Sequence, residues 1–537
     1  MTRTRFFNGQ IWDGRSGSRL ASSLTIEDGR IVNLDSDEKG DDEIDLAGRF
    51  MMPSFADGHA HPLFGGREEQ GPAVTGLASI EATLEAVSSY ALAHPDQEWI
   101  VGGAYNATLE PTGNFDAKWL DAVVSDRPVL LHAMDHHTIW VNSKALEIAG
   151  IAEIPGNPPV GTIERRQDGS PLGTLREWDA VALVTKHLPP PAMDLEIAAI
   201  EYAAARYAKS GVAWVQDAWV DRGMCEAYVA AERAGKLSIG FNLGFRADAS
   251  TWRADLPYFL AQREIVEALP TPVNLTAKTA KFFADGVIEG GTAALLDEYC
   301  DHPGYHGMPV WDSVEFAEAV AAFDAAGFQI FIHAIGDAGI RNSLDAIEAA
   351  ILRNPPRDRR PVITHIQLLD PSDLPRFKQL GVIANFEPLW TCLDPMQVVL
   401  SVPRLGTERT ARQYQMRSLI DDGVVLSFGS DWPVTSEVPL EGLAVAVHRQ
   451  TPDRQPVGGW IPLERITMEE ALMAYTSGVA FQCSAENSWG RLLPGFEANF
   501  IILDQDPRTI DPHQASELKV GATFRRGKMI FGKDESF

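Results

Sequence analysis

His59 and His61 stand one residue apart, directly after the apolar run Phe50-Met51-Met52-Pro53-Ser54-Phe55-Ala56. At the C-terminal end of a strand, where the backbone often bends, both imidazoles can turn toward one cation. Imidazole is a common ligand for Zn, Fe and Ni. A His-x-His pair alone is more often a surface or loop feature. Here further ligand-type side chains follow, each closing its own apolar run. Lys281 lies in Thr279-Ala280-Lys281-Phe282-Phe283-Ala284-Asp285, His333 ends Phe331-Ile332-His333, His365 ends Val362-Ile363-Thr364-His365, and Asp431 follows Phe428-Gly429-Ser430. Neutral imidazoles hold a divalent cation without cancelling its charge, and an aspartate adds one anionic ligand that can also move protons. Such a cation lowers the pKa of bound water toward ~7 and gives hydroxide at neutral pH. Its field stabilises the oxyanion formed when hydroxide attacks a carbonyl.

Each residue also has a plainer reading. His333 and His365 can be satisfied core histidines, and Asp431, before Trp432-Pro433, can cap a helix or turn. An ammonium is no ligand, but a buried lysine can lose its proton, take up CO₂ and bridge two metals as a carbamate. Pairing of Lys281 with Asp285, or an outward-reaching lysine, is the plainer alternative, and spacing alone favours it. Chemistry gains weight because the candidates close separate strands, where a shared site can form.

The elements that must position these residues alternate. Strand-like runs at 50–58, 212–217, 238–245, 274–284, 327–333, 361–365, 382–386 and 424–429 are separated by amphipathic stretches at 195–210, 312–326, 340–353, 371–380 and 409–421. This is the α/β pattern of a (β/α)8 TIM-like barrel, whose sites sit at the C-terminal strand ends. Asn8-Gly9 and Asp28-Gly29 predict hairpins near the start, and Arg526-Gly527 marks another turn between β-rich runs near the end. Both termini together are expected to build a small β-sandwich from 1–52 and 487–537, around a barrel from 53–62 and 190–486. The stretch 63–189 is far too long for a βα loop and is expected to be an inserted α/β subdomain, lid-like over the barrel mouth.

Composition bounds the rest. At 537 residues the chain can bury a large core. A net charge of −28 argues against nucleic acid and anionic membranes as partners, since both repel it. Cys225, Cys300, Cys392 and Cys483 form no C-x-x-C pair and read as reduced thiols of a cytoplasmic protein. No signal peptide or membrane-spanning apolar run is read.

The His-x-His, the lysine, the two single histidines and Ser430-Asp431 together resemble the amidohydrolase superfamily. The text around them resembles the branch that includes N-substituted formamide deformylase. Asp135-His136-His137-Thr138-Ile139-Trp140-Val141-Asn142-Ser143 is similar to that branch's Asp-Gly-His-x-x-Trp-x-Asn-Ser segment, with His136 where the branch usually has glycine. Asp168-Gly169-Ser170-Pro171-Leu172-Gly173-Thr174-Leu175-Arg176-Glu177, Lys281–Gly286, His333–Asp337 and Gly429–Val434 fit the same branch. The resemblance implies that His59, His61 and Asp431 hold one metal, His333 and His365 a second, and Lys281, as carbamate, bridges them. Asp431 would carry the proton from the attacking hydroxide to the leaving nitrogen. His137, Glu177, Trp390 and Trp432 are pocket candidates, as is Trp140, with backbone satisfaction the alternative for His137 and Glu177 and core packing the default for each tryptophan. Arg404 and Arg409 lie where an acidic substrate could find a cation, with a solvated arginine the plainer reading of either.

The expected function is hydrolysis of a non-peptide C–N bond, closest to deformylation of an N-substituted formamide, with one or two divalent metals. Zinc is the default, and Fe, Mn or Ni fit as well. The expected partner is a small molecule with an amide-like carbonyl, and a homo-oligomer is compatible with the sequence. Two alternatives stand beside this reading. One is a mononuclear deaminase of a heterocycle, which needs a proton-delivering carboxylate such as Asp337. The other is a non-catalytic metal-binding barrel.

Overall fold

The computed structural model describes residues 3–270 and 274–532. The outermost positions of the expected 1–52/487–537 sandwich, and 271–273 within the expected barrel segment, lie outside the described residues. Eight parallel strands form one sheet in sequential order: β1 (Phe55–Ala60), β2 (Val212–Val220), β3 (Gly240–Arg246), β4 (Leu275–Phe283), β5 (Gln329–Ala334), β6 (Val362–His365), β7 (Ile383–Phe386) and β8 (Leu426–Phe428). Every residue of β1, β6, β7 and β8 is buried. Burial on both faces is what a parallel sheet under a helical layer requires. The ring is drawn together where the histidine pair lies: Asp431 N–H donates to the His59 carbonyl at 2.8 Å and His61 N–H to the Trp432 carbonyl at 2.8 Å. This is the TIM-like barrel that the alternating runs predict.

Helices fill the connections, among them Met193–Lys209, Met224–Arg233, Trp252–Glu267, Ser313–Ala325, Asp337–Arg353 and Pro439–His448. Asp312 starts one of them by accepting the N–H groups of Val314 and Glu315. The expected helix 409–421 is instead two, Val402–Thr410 and Met416–Asp421. Between them Tyr414 takes a φ of 51°, donates its N–H to the Gln367 carbonyl at 2.9 Å, and has its own carbonyl held by Arg449 Nη1 at 2.9 Å. Tertiary hydrogen bonds there replace the helical ones.

Outside the barrel, two sheets pack around Phe6, Leu24, Met51, Phe500 and Phe524. One is built of Arg3–Phe7, Leu24–Glu27, Arg30–Leu34 and Asp42–Asp45. The other joins Gln10–Ile11 and Phe50–Pro53 to Phe500–Leu503, Val520–Arg525 and Lys528–Phe531. Asp28-Gly29 and Arg526-Gly527 make two-residue hairpin turns with positive φ at both positions. Asn8-Gly9 does not make the hairpin its type suggests, because Arg3–Phe7 pairs with Leu24–Glu27 while Gln10–Ile11 crosses to pair with Phe50–Pro53 in the other sheet. The expected first strand, 50–58, is likewise two: Phe50–Pro53 belongs to this second sheet and Phe55–Ala60 to the barrel.

Between β1 and β2 the chain forms a separate five-stranded sheet, in the order Thr162–Arg165, Pro171–Arg176, Thr138–Val141, Val129–Ala133, Ile100–Tyr105. Among the described residues no helix is long and apolar enough to cross a membrane.

Candidate active site

At the C-terminal end of β1, Asp57 Oδ1 accepts the N–H of His59 at 3.1 Å and that of Ser430 at 3.0 Å, and Ser430 Oγ donates to Oδ2. One carboxylate thus fixes the loops after β1 and β8. It lets the His59 and His61 side chains meet Asp431, whose Oδ1 lies 3.1 Å from His59 Nε2 and 2.8 Å from His61 Nε2. His365 joins them: its ring centroid is 4.9 Å from that of His59, and ligand atoms of His59, His365 and Asp431 all lie within 4.8 Å of one another. The His333 ring is 4.5 Å from that of His365. Four imidazoles and one carboxylate from β1, β5, β6 and β8 therefore share one buried space.

Neighbours fix the ring nitrogens. Glu387 Oε2, just past β7, is 2.9 Å from His365 Nδ1, which donates to it and leaves Nε2 for the cluster. Thr364 Oγ donates to Glu387 Oε1 at 3.0 Å. His333 Nε2 lies 3.2 Å from the Gly286 carbonyl and donates to it. Burial drives His59 and His333 well below the ordinary histidine range, so both are neutral. Burial opposes ionisation of Asp431, but His59 and His61 beside it outweigh that and hold its carboxyl well below the usual range. Neutral imidazoles around an ionised carboxylate are the donor set of a divalent-cation site. The His59 and His61 Nδ1 atoms are buried without a hydrogen-bond partner, which leaves Nε2 as each ring's contact to the shared carboxylate.

Lys281 is fully buried on β4, and its Nζ has no hydrogen-bond partner. It lies 4.9 Å and 5.0 Å from the Phe283 and Phe331 ring centroids. Burial lowers its pKa to about 7, so a large share is free amine at neutral pH. The pairing with Asp285 does not form, because Asp285 accepts the N–H groups of Ala294, Ile335 and Gly336 at 2.8–3.0 Å. Asp337 Oδ1 accepts the N–H groups of Leu296 at 2.8 Å and Ala338 at 3.1 Å.

The segment between β1 and β2 reaches this space. His137 has its ring centroid 5.3 Å from that of His333 and its Nδ1 2.9 Å from Glu177 Oε2. Trp178, Trp219 and Phe283 pack edge-on and tilted at 4.7–4.9 Å beside them, and Trp219 also meets His61 at 5.9 Å. Trp390 stacks on His365 at 5.1 Å with the planes 4° apart. A different His-Asp group, His448, Asp511 and His513, lies where Pro439–His448 meets the C-terminal segment. Its imidazoles stack face to face at 3.7 Å, so their in-plane lone pairs do not converge.

Residues 42–531 match the model of a family described as the amidohydrolase family. The chain belongs to the amidohydrolase family. Protein LONG AFTER FAR-RED 3 of Arabidopsis thaliana is 31% identical over 98% of this chain and 91% of that protein. N-substituted formamide deformylase of Arthrobacter pascens is 25% identical over 96% of each chain. An uncharacterized metal-dependent hydrolase from Pyrococcus furiosus has a TM-score of 0.71 at 25% identity, covering 94% of this chain and 100% of that one.

In this amidohydrolase, His59, His61, Lys281, His333, His365 and Asp431 lie at one end of the barrel, with His137, Glu177 and Trp390 beside them. Trp432 does not join the pocket. Its ring packs against Tyr207 at 5.6 Å, Arg206 at 5.5 Å and the backbone of Gly65, in the outer helical layer. Trp140 is in the core of the inserted sheet with Tyr105 and Phe115. Arg409 is no substrate cation: it is buried and donates to the carbonyls of Leu405, Asp297 and Glu298. Arg404 donates to the Leu400 carbonyl and faces Asp301 at 3.6 Å. Trp219 escaped the sequence reading because β2 runs to Val220 rather than ending at Asp217. Trp178 carried a signal, its place directly after Glu177, and Asp57 carried one in its place two residues before His59.

Proposed function

We propose that this amidohydrolase cleaves a non-peptide C–N bond in an amide, with hydrolysis of an N-substituted formamide to amine and formate as the closest specific reaction. The observation that carries the proposal is the convergence of His59, His61, His365 and ionised Asp431 in one buried space. In this reading His59, His61 and Asp431 would hold one divalent cation and His333 and His365 a second, with Lys281, as a carbamate, supplying a further anionic ligand. Such a cation, zinc by default, supplies electrostatic stabilisation of a developing oxyanion and acidifies water. Asp431 takes a proton from the attacking water as the new C–O bond forms and returns it to the nitrogen as the C–N bond breaks. Glu387 keeps His365 in one tautomer and Asp57 keeps the β1 and β8 loops in register. Residues 63–189 act as a lid-like subdomain that completes the pocket with His137 and Glu177. The similarity to a formamide deformylase supports a small acyl group. The four free cysteines support a reducing, cytoplasmic setting.

Elemental analysis of the pure protein, combined with turnover of a panel of formamides, longer-chain amides, lactams and esters, tests the reading. One or two equivalents of divalent metal and fastest turnover of formamides are expected. Protein that carries metal but hydrolyses none of the panel would overturn it.

A further inference from the structure

Glu177 stands where a side chain is not at ease. Its φ of 61° with ψ of 170° falls in a region that L-residues rarely adopt, and strain of this kind persists only where the surroundings over-determine it. Three contacts do so here. Glu177 N–H donates to the His137 carbonyl at 2.7 Å, Oε2 accepts a hydrogen bond from His137 Nδ1–H at 2.9 Å, and Oε1 accepts one from Thr292 Oγ. Thr292 is itself held in the loop after β4, where its Oγ accepts Val287 N–H at 2.9 Å. Gly286 leaves room for this link, since a Cβ there would lie 2.3 Å from Thr292 Oγ and 2.4 Å from Glu177 Oε1. The Gly286 carbonyl in turn holds His333 Nε2 at 3.2 Å. Inserted segment, β4 loop and histidine cluster are thus joined by one chain of polar contacts.

The consequence falls on His137. Its Nδ1 is taken by Glu177, its ring is confined by Trp178 at 4.6 Å and by His333 at 5.3 Å, and Nε2 has no hydrogen-bond partner among the described residues. An imidazole this tightly held, with one free nitrogen beside the cluster, is built to meet a ligand. We infer that His137 is a substrate-contacting residue supplied by the inserted segment, its Nε2 hydrogen-bonding the reacting amide, and that Glu177 and Thr292 are positioning residues that aim it. No bond to His137 forms or breaks; it orients the amide while the cluster and Asp431 carry the chemistry. The inference rests on the hydrolase reading above and makes the inserted segment part of the catalytic apparatus rather than a cover alone.

The test uses metal-replete enzyme and a formamide that the wild type hydrolyses. His137→Phe keeps an aromatic ring in the space and removes the Nε2 that accepts the amide N–H, and should lower kcat about 100-fold, the order of loss that follows when a reacting group is left misplaced. Thr292→Val should lower kcat in the same direction, and Thr292→Ser, which restores the hydroxyl, should rescue it. Glu177→Gln should fall between them, because its amide oxygen still accepts from Nδ1. Metal content and Tm should stay at wild-type values in His137→Phe and Thr292→Val. Wild-type kcat in both variants would overturn this inference and leave the hydrolase reading standing. Equal loss in Thr292→Ser and Thr292→Val, or lost metal in step with lost activity, would also overturn it, because a purely structural role predicts that. Wild-type enzyme inert on every amide would sink both readings together.

Discussion

Asp431 is the one carboxylate whose oxygen lies within 3.1 Å of both His59 Nε2 and His61 Nε2 among the described residues. Asp431→Asn keeps its size and removes its proton-accepting capacity, so kcat should fall by about 10³-fold with little change in Tm. Assay of the refilled enzyme beside a melting curve checks this, and wild-type turnover would remove Asp431 from the mechanism. His59→Ala and His365→Ala should lose metal by elemental analysis and lose activity with it. Lys281 makes a sharper case, because an unpartnered amine at zero exposure is costly unless something satisfies it. Lys281→Ala should lose one metal and regain activity when a short-chain carboxylic acid is added to take the carbamate's place. Retention of both metals would rule the carbamate out. At this scale residue types and order were legible: two histidines, a lysine, two histidines and an aspartate. Lys281's lack of a hydrogen-bond partner was not, since spacing leaves Asp285 within reach and only the fold commits Asp285 to three backbone N–H groups.

The elements explain why such distant residues meet. Parallel strands closed into a barrel bring all their C-terminal ends to one face, so residues far apart in the chain meet there. The meeting of the β1 and β8 loops is the tightest point. A Cβ on Gly429 would lie 2.6 Å from the His59 nitrogen, a backbone atom that cannot turn aside. Gly429→Ala should therefore force the two loops apart and cost about 1–3 kcal/mol. Differential scanning and metal analysis would show a lowered Tm with weakened metal binding; unchanged values of both would mean that the loops have slack. The alternation of apolar and amphipathic runs was readable for the barrel. It misjudged 50–58, because a continuous apolar run looks the same whether it serves one sheet or two. It misjudged Asn8-Gly9, because turn chemistry is local and sheet membership is not.

Buried charge acts on the whole molecule. Asp217 on β2 is fully buried and accepts the Tyr228 hydroxyl at 2.6 Å, and burial pushes its pKa up to about 7. A carboxyl raised in the fold binds its proton more tightly folded than unfolded, so its favourable contribution is complete below its unfolded value near 3.8 and is lost as pH rises through about 7. Across that window wild-type stability should fall relative to Asp217→Asn by at most about 1.4 kcal/mol per pH unit, and the difference should level off above it. Urea midpoints of both proteins at pH 5, 6, 7 and 8 measure this. A difference that does not vary with pH would show that Asp217 is ionised throughout.

The sequence alone determined the class of fold and the chemical alphabet of the site, because apolar periodicity and ligand-type residues are properties of position along the chain. Only the tertiary structure decided that Trp432 faces the helices while Trp219 faces the cluster, and that Glu387, Asp57 and Thr292 hold the rings and loops. Direction and partnership depend on which distant backbone each side chain meets, and no local pattern encodes that meeting.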